Sequence, residues 1–404
     1  MSGTSQWAAS NNSDGAVGDT TPGDTAYQRR LTRARRALPL APTGARELAR
    51  MARNPGCDRL AVHGAARIDT AAFARAILGV DVNTHGSPLA LANGVAFERV
   101  LLRDGAAPLV DLFTGAGWLL PGSASFVDVS AAHPDIDSAS LARREEMTRA
   151  FLAQRLRGDP GTPNIIWHAR LTLSVPALEG GTVTIEPDCL VASATSGFYT
   201  PVEVKSFHDR GPRTDPLDLE KARMQAAVEV LALRDTTLSL AAAIGQRFDD
   251  EALRQLIPDR CGLILRRFGM RARLQRLNVR RELTLMRRFL AGLRARVDRA
   301  LTTRASAFTI DTLTGHESIA NALREDCRSF CDFASSCEAA ARRAGQPIVL
   351  GHAMEEAVGA VGTLPRLIAL LEGREIVRTD DERRIVRAFR DAVVRTEREM
   401  RRVG

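Results

Sequence analysis

Between Asn164 and Phe207 the chain changes its period, and no other feature limits the folds open to it as much. Upstream, "GVAFERVLLRDG" and "SLARREEMTRAFLAQRLRG" repeat apolar residues at helical spacing. From Asn164, "NIIWHARLTLSV", "TVTIEPDCLVAS" and "YTPVEVKSF" are rich in β-branched and aromatic residues and divided by Gly and Pro. That is the pattern of consecutive antiparallel strands. Helical spacing returns in "DPLDLEKARMQAAVEVLALRD"; "RCGLILRRF" and "ARLQRLNV" read as two more strands, and "RRELTLMRRFLAGLRARVDRAL" as a long basic helix. The rest reads as helical. Helices, three strands, a helix, two strands and helices predict an α/β fold, a mixed central sheet flanked by helices.

At 404 residues and 45% hydrophobic content the chain can bury a sizeable core in one large domain or two modest ones. A formal charge of +8 makes a polyanion a plausible partner. No apolar run reaches the length of a membrane span, so no membrane is expected. The opening "MSGTSQWAASNNSDGAVGDTTPGDT" has no apolar signal core, which points to a cytoplasmic, reducing location where six cysteines are not a disulfide framework. Residues 1–44 read as a disordered polar and basic segment, within which "AYQRRLTRARRALP" is a short helix or a basic arm. No glycine loop of the nucleotide-hydrolysing type occurs, so no ATP motor is expected.

Of 56 basic residues only Lys205 and Lys221 are lysines. Lys205 stands two residues after Glu203 in a strand, so the two side chains share a face. Asp188 lies on the preceding run, joined through "SATSGFY". If these strands pair, two carboxylates converge on one sheet end, a donor set for a hard divalent cation such as Mg²⁺ or Mn²⁺. A compact ammonium beside them suits activation of water or neutralisation of charge building on a phosphate. An acidic-x-lysine triplet on a solvated strand is the ordinary alternative, and the scarcity of lysine argues against it.

"EPDCLV" followed by "VEVKSF" resembles the paired central strands of the PD-(D/E)xK nucleases, and within them the RecB-like exonucleases. The resemblance implies a restriction-endonuclease-like core over residues 45–345, a helical extension over 346–404 and metal-dependent hydrolysis of DNA. "GVAFERVL" is similar to the upstream helix of that group, which makes Glu98 a third metal ligand beside Asp188 and Glu203. "KARMQAAVEVLAL" is similar to its following helix, which places Gln225 beside the catalytic Asp188, Glu203 and Lys205. Glu229 stands where the group carries an aromatic residue.

Cys327, Cys331 and Cys337 form a local triplet, and Cys57 lies far upstream. Four thiolates make a closed site for zinc or iron–sulfur. One cysteine before the core and three after it resemble the iron–sulfur branch of these nucleases, found in helicase–nuclease repair complexes and CRISPR spacer acquisition. That implies a 4Fe–4S cluster tying the N-terminal helices to the C-terminal ones, and a helicase or other repair or defence protein as partner. The first gap of the triplet is one residue longer than is common there. Cys189 and Cys261 read as ordinary buried cysteines.

Between Arg266 and Arg299 twelve arginines face two acids, Glu282 and Asp298, a density that suits a nucleic-acid backbone or a solvated face. Few aromatics interleave, so no base-stacking platform is evident. His168 and His208 border the motif strands as packing or phosphate-contacting residues. The leading expectation is a Mg²⁺- or Mn²⁺-dependent deoxyribonuclease, an exonuclease by resemblance. The alternatives are a catalytically inactive nuclease-fold module that binds or assembles on nucleic acid, and a structural zinc-bound helical protein.

Overall fold

The structure, a computed structural model, describes residues 22–80, 88–132, 134–135, 137–192, 197–302 and 308–403. Residues 1–21 of the expected disordered head, and 193–196 of the turn between the motif strands, lie outside them. Its centre is a six-stranded mixed sheet with the order β1-β2-β5-β6-β7-β8. The strands are β1 (Phe126–Asp128), β2 (Ile165–Trp167), β5 (Cys189–Ala192), β6 (Tyr199–His208), β7 (Arg260–Arg266) and β8 (Ala272–Asn278). Two pairings are parallel, β1 with β2 and β6 with β7; the other three are antiparallel. The strands β3 (Leu171–Ser174) and β4 (Thr182–Ile185) form a separate two-stranded ribbon.

Two of the long strands expected from the sequence are each two short ones. "NIIWHARLTLSV" breaks after Trp167 because His168 takes a left-handed backbone, φ 55°, which turns the chain out of the main sheet into the ribbon. "TVTIEPDCLVAS" breaks at Pro187, which has no N–H to give a ladder. β1 was not evident in the sequence.

The N-terminal helices are α1 (Pro22–Arg35), α2 (Ala45–Arg53), α3 (Asp58–Ala65) and α4 (Thr70–Ile77). Residues 22–35 therefore correct the expected disorder of 1–44: Tyr27 and Leu31 are buried, and the Tyr27 hydroxyl donates to the Ala177 carbonyl at 2.6 Å. Next come α5 (Pro88–Gly115), whose backbone leaves helical geometry from Arg103 to Ala106, the single turn α6 (Val129–Ala132) and α7 (Ser138–Arg157). Asp137 caps α7 at its start, and Gly158 ends it with a left-handed φ of 74°.

Helix α8 (Pro216–Ala243) opens with Asp215 accepting from the Leu217 N–H and Pro216 in the first turn. It is followed by α9 (Asp250–Leu256) and α10 (Arg280–Thr302). The chain ends with α11 (Leu313–Ser318), α12 (Ala334–Arg343), α13 (His352–Val358), α14 (Leu364–Leu371) and α15 (Asp380–Val403). Val358, Val361, Leu367, Leu370 and Val386 give this tail a small core of its own.

Two apolar layers cover the sheet. On one face Phe97, Leu101 and Phe113 of α5 meet Val202 and Val204 of β6 and Trp167 of β2. On the other, α8 is buried nearly all round, its Ala226, Ala227 and Val230 packing with Leu190 of β5 and Met286 of α10. Fully burying each large side chain contributes about 1.5–3 kcal/mol. The alternation of β6 therefore sends Val202 and Val204 to α5, and Glu203 and Lys205 to α8.

Candidate functional site

Strand β6 is longer than its neighbour. β5 pairs with it only as far as Cys189 opposite Val202, after which β6 continues beside β7 through Lys205. One step past that last pair Asp188 comes opposite Glu203, at the point where the strands separate and backbone groups are free. The Val204 N–H donates to Asp188 Oδ2 at 2.7 Å. The Lys205 ammonium forms an ion pair with Glu203, which is fully buried. Gln225 of α8 joins both: its amide nitrogen donates to Glu203 Oε1 at 2.6 Å, and its oxygen accepts from Lys205 Nζ at 3.1 Å. Asp188, Glu203, Lys205 and Gln225 are thus together.

Glu98 comes from α5, across the sheet, and is half-buried. Its helix crosses β6 close by, since a Cβ on Gly94, one turn before Glu98, would lie 3.7 Å from Ser206 Oγ. Withdrawal from water and the Glu203 charge push the Asp188 carboxyl up to about 7, Lys205 and the Val204 N–H oppose this, and Glu98 adds a further push. Burial pulls the Lys205 ammonium down, but Glu203, Asp188 and Glu229 outweigh it and hold it above its ordinary value.

Glu229, read from the sequence only as standing in place of an aromatic residue, joins the acidic groups of the site. One turn after Gln225 on the same face of α8, it is fully buried, finds no donor, and faces the Glu203 carboxyl, with which it shares a hydrogen bond only when one of the two is protonated. Burial first, then the charge of Glu203 and the hydrogen bond to it, then Asp188, lift its carboxyl well above the usual range, with Lys205 opposing. The i,i+4 spacing from Gln225 was the available signal. Carboxyl groups thus outnumber the one ammonium here, a donor set that suits a hard cation. Mg²⁺ is commonly held by one or two carboxylates and keeps several waters, so a closed protein cage is not required. Among the described residues no group of three or more His, Cys, Asp or Glu side chains is spaced to hold a metal ion by itself.

His168 borders the site. Its backbone N–H donates to the Asp188 carbonyl at 3.0 Å, and its ring Nδ1 lies 3.2 Å from Asp128 Oδ1 and 2.8 Å from Ser130 Oγ. The ring is partly exposed and held in one orientation by those two groups. His208, at the end of β6, is exposed, its Nδ1 3.2 Å from Arg266 Nη2.

Cys57, Cys327, Cys331 and Cys337 line one pocket with Asn54 and Phe333. Cys57 sits at the start of α3 and the other three flank and open α12, so the pocket joins the N-terminal helices to the C-terminal ones. Donors reach three of the sulfurs: Leu60 N–H to Cys57 at 3.4 Å, Arg324 N–H to Cys327 at 3.2 Å, and Arg59 Nη1 to Cys337 at 3.1 Å. Arg59 is itself buried, so a fixed positive charge faces the thiols. Burial pushes Cys331 up to about 12; it also raises Cys327 and Cys337, with Arg59 opposing at Cys337. Four thiols served by N–H donors and a buried cation have the chemistry of a thiolate centre for a metal or an iron–sulfur cluster, although no three of them are spaced to close on a single ion in this arrangement. Cys189 and Cys261 lie in the two sheet cores, away from this pocket.

Comparison with protein-family models, curated proteins and solved structures gave no match for this chain.

Proposed function

We propose that this protein is a divalent-metal-dependent deoxyribonuclease with a restriction-endonuclease-like core of RecB-like type, braced by a 4Fe–4S cluster on its four clustered cysteines. The observation that carries the reading is the convergence of Asp188, Glu203 and Lys205 where β5 leaves β6, with Gln225 bridging the last two. Asp188 and Glu203 would hold the cation, with Glu98 approaching from α5. When bound, a Mg²⁺ or Mn²⁺ ion supplies Lewis acidity toward a phosphate and acidifies water.

The chain's own groups do the remaining work. Lys205 places a fixed positive charge where a phosphate gains negative charge, and it stays protonated beside Glu203 and Asp188. Gln225 restrains the Glu203 carboxylate and the Lys205 ammonium together, so neither needs to reorganise when substrate arrives. His168, oriented by Asp128, offers its exposed edge to a phosphate oxygen.

The decisive assay uses linear, circular and single-stranded DNA with Mn²⁺, on protein prepared without oxygen. Cleavage that disappears in Asp188→Asn supports the proposal, and no cleavage by the parent of any of the three sinks it. Glu229 favours a second reading: a buried carboxyl facing Glu203 replaces the expected aromatic, as in a nuclease fold that binds DNA without cutting it. In that case the parent retains DNA without Mn²⁺-dependent products.

A further inference from the structure

The hairpin of β7 and β8 ends beside the site. Arg266 is opposite Ala272, and the Arg267 N–H closes the tip on the Arg271 carbonyl at 2.7 Å. The tip turns through Gly269 and Met270, both left-handed, with φ of 68° and 61°. Met270 packs inward against the α5-side core, which anchors the turn. Phe268, two residues before it, is 92% exposed.

A single exposed apolar ring is ordinary; what distinguishes this one is its surroundings. Arg266, Arg267, Arg271 and Arg273 crowd the tip, and one carboxylate, Asp209, faces Arg267 at 3.6 Å and Arg273 at 2.9 Å. Arg271 is exposed and makes no ion pair among the described residues. One phenyl ring, of roughly 150–250 Å², is too small a seed for a protein interface, which needs about 800 Å² per partner. An aromatic among arginines suits a single nucleic-acid strand, with base on ring and phosphates on guanidinium groups.

The place of the tip sets its role. Arg266 Nε donates to the Ser206 carbonyl at 2.9 Å, and Lys205 is opposite Leu265. At ~3.3 Å per residue Phe268 lies on the order of 10 Å beyond Lys205, about three nucleotides of a stacked strand. We propose that Phe268 stacks on an unpaired base of the DNA strand entering the site, with Arg267 and Arg271 on the neighbouring phosphates, so that the preferred substrate is single-stranded or frayed. This rests on the nuclease reading for the direction of the strand, but the stacking itself is a binding property. A duplex has no free base face to offer, which gives the preference its cause.

The test is equilibrium binding of labelled oligo(dT) and of a blunt duplex of equal length, at one salt concentration with no divalent cation added. Parent, Phe268→Ala and Phe268→Trp are compared. The alanine variant should bind oligo(dT) about tenfold more weakly, with duplex affinity changed less than twofold, and the tryptophan variant should match the parent. The salt dependence of oligo(dT) binding should keep its slope in Phe268→Ala and lose about one unit of slope in Arg271→Ala. Equal oligo(dT) affinity in parent and Phe268→Ala, an equal loss on both DNAs, or no oligo(dT) binding by the parent overturns the proposal. Because no cleavage is measured, absence of Mn²⁺-dependent products leaves this result standing and removes only the nuclease reading.

Discussion

Asp188 accepts a 2.7 Å hydrogen bond from the backbone N–H of Val204, so a carboxylate on one strand is pinned between the two site residues of the next. The bond takes the place of a ladder bond just before β5 begins. It needs no metal to form, and it holds Asp188 beside Glu203 and Lys205 in advance.

Asp188→Asn preserves the shape and the ability to accept from Val204, and removes one charge. Mn²⁺-dependent cleavage should fall by at least about 10²-fold, with an unchanged circular-dichroism spectrum and melting midpoint within a few degrees. Lys205→Ala should lose as much activity and also some stability, since Glu203 and Glu229 then lack their only ammonium. Parent-like cleavage in either variant removes the site assignment.

Glu229→Gln should stabilise the protein, increasingly so at higher pH. A folded-state carboxyl raised above its unfolded value contributes stability below about pH 4.5 and loses it as pH rises. Glutamine has no such loss. Unfolding free energies from urea titrations at pH 5 to 8, without divalent cation, should diverge in favour of the variant by about 1–3 kcal/mol. Parallel curves would show that Glu229 does not resist ionisation.

The buried histidine pair gives the opposite slope on the acid side. His63 Nε2 and His316 Nδ1 are 3.1 Å apart and packed against Phe73 and Phe333. Burial holds His316 down at about 3 and His63 well below its ordinary value, the latter helped by His316 and Arg59. Lowered histidines leave stability complete above about pH 6.5, and it declines as pH falls toward 3 because only the unfolded chain takes up protons there. Each histidine should cost about 1.4 kcal/mol per pH unit in that window. His316→Phe should flatten the decline; an unaltered acid limb contradicts the assignment.

Cys331→Ser should abolish broad absorbance near ~400 nm and iron content, and lower the melting temperature, because the pocket joins α3 to the segment around α12. Cys261→Ser, in the sheet core, should leave iron content unchanged. Zinc without iron in the parent would identify the metal as zinc, and retained iron in Cys331→Ser would exclude the four-cysteine centre.

The α/β class was legible because the hydrophobic period changes visibly at Asn164 and again after Phe207. Glu203 and Lys205 could be placed on one face for the same reason, as strand pleating is local. The break at His168 was not legible. A histidine with positive φ is set by what surrounds it, here Asp128, Ser130 and the hydrogen bond to Asp188. The stretch read as a short helix or a basic arm is the helix Pro22–Arg35, and what its arginines hid was that it docks, through Tyr27, Leu31 and Ala34. The exposed Phe268 escaped notice because an aromatic among arginines in a strand–turn–strand reads equally well as core.

Short-range rules acting on the amino-acid order alone determined where helical and strand-forming regions alternate, which side chains alternate across β6, and that four cysteines exist in a one-plus-three arrangement. The tertiary structure decided that Asp188 comes opposite Glu203, that Glu229 closes in against Glu203, and that Cys57 reaches a triplet some 270 residues away. Such encounters depend on strand register and helix packing, which the summed burial of many distant side chains selects. No local pattern encodes them.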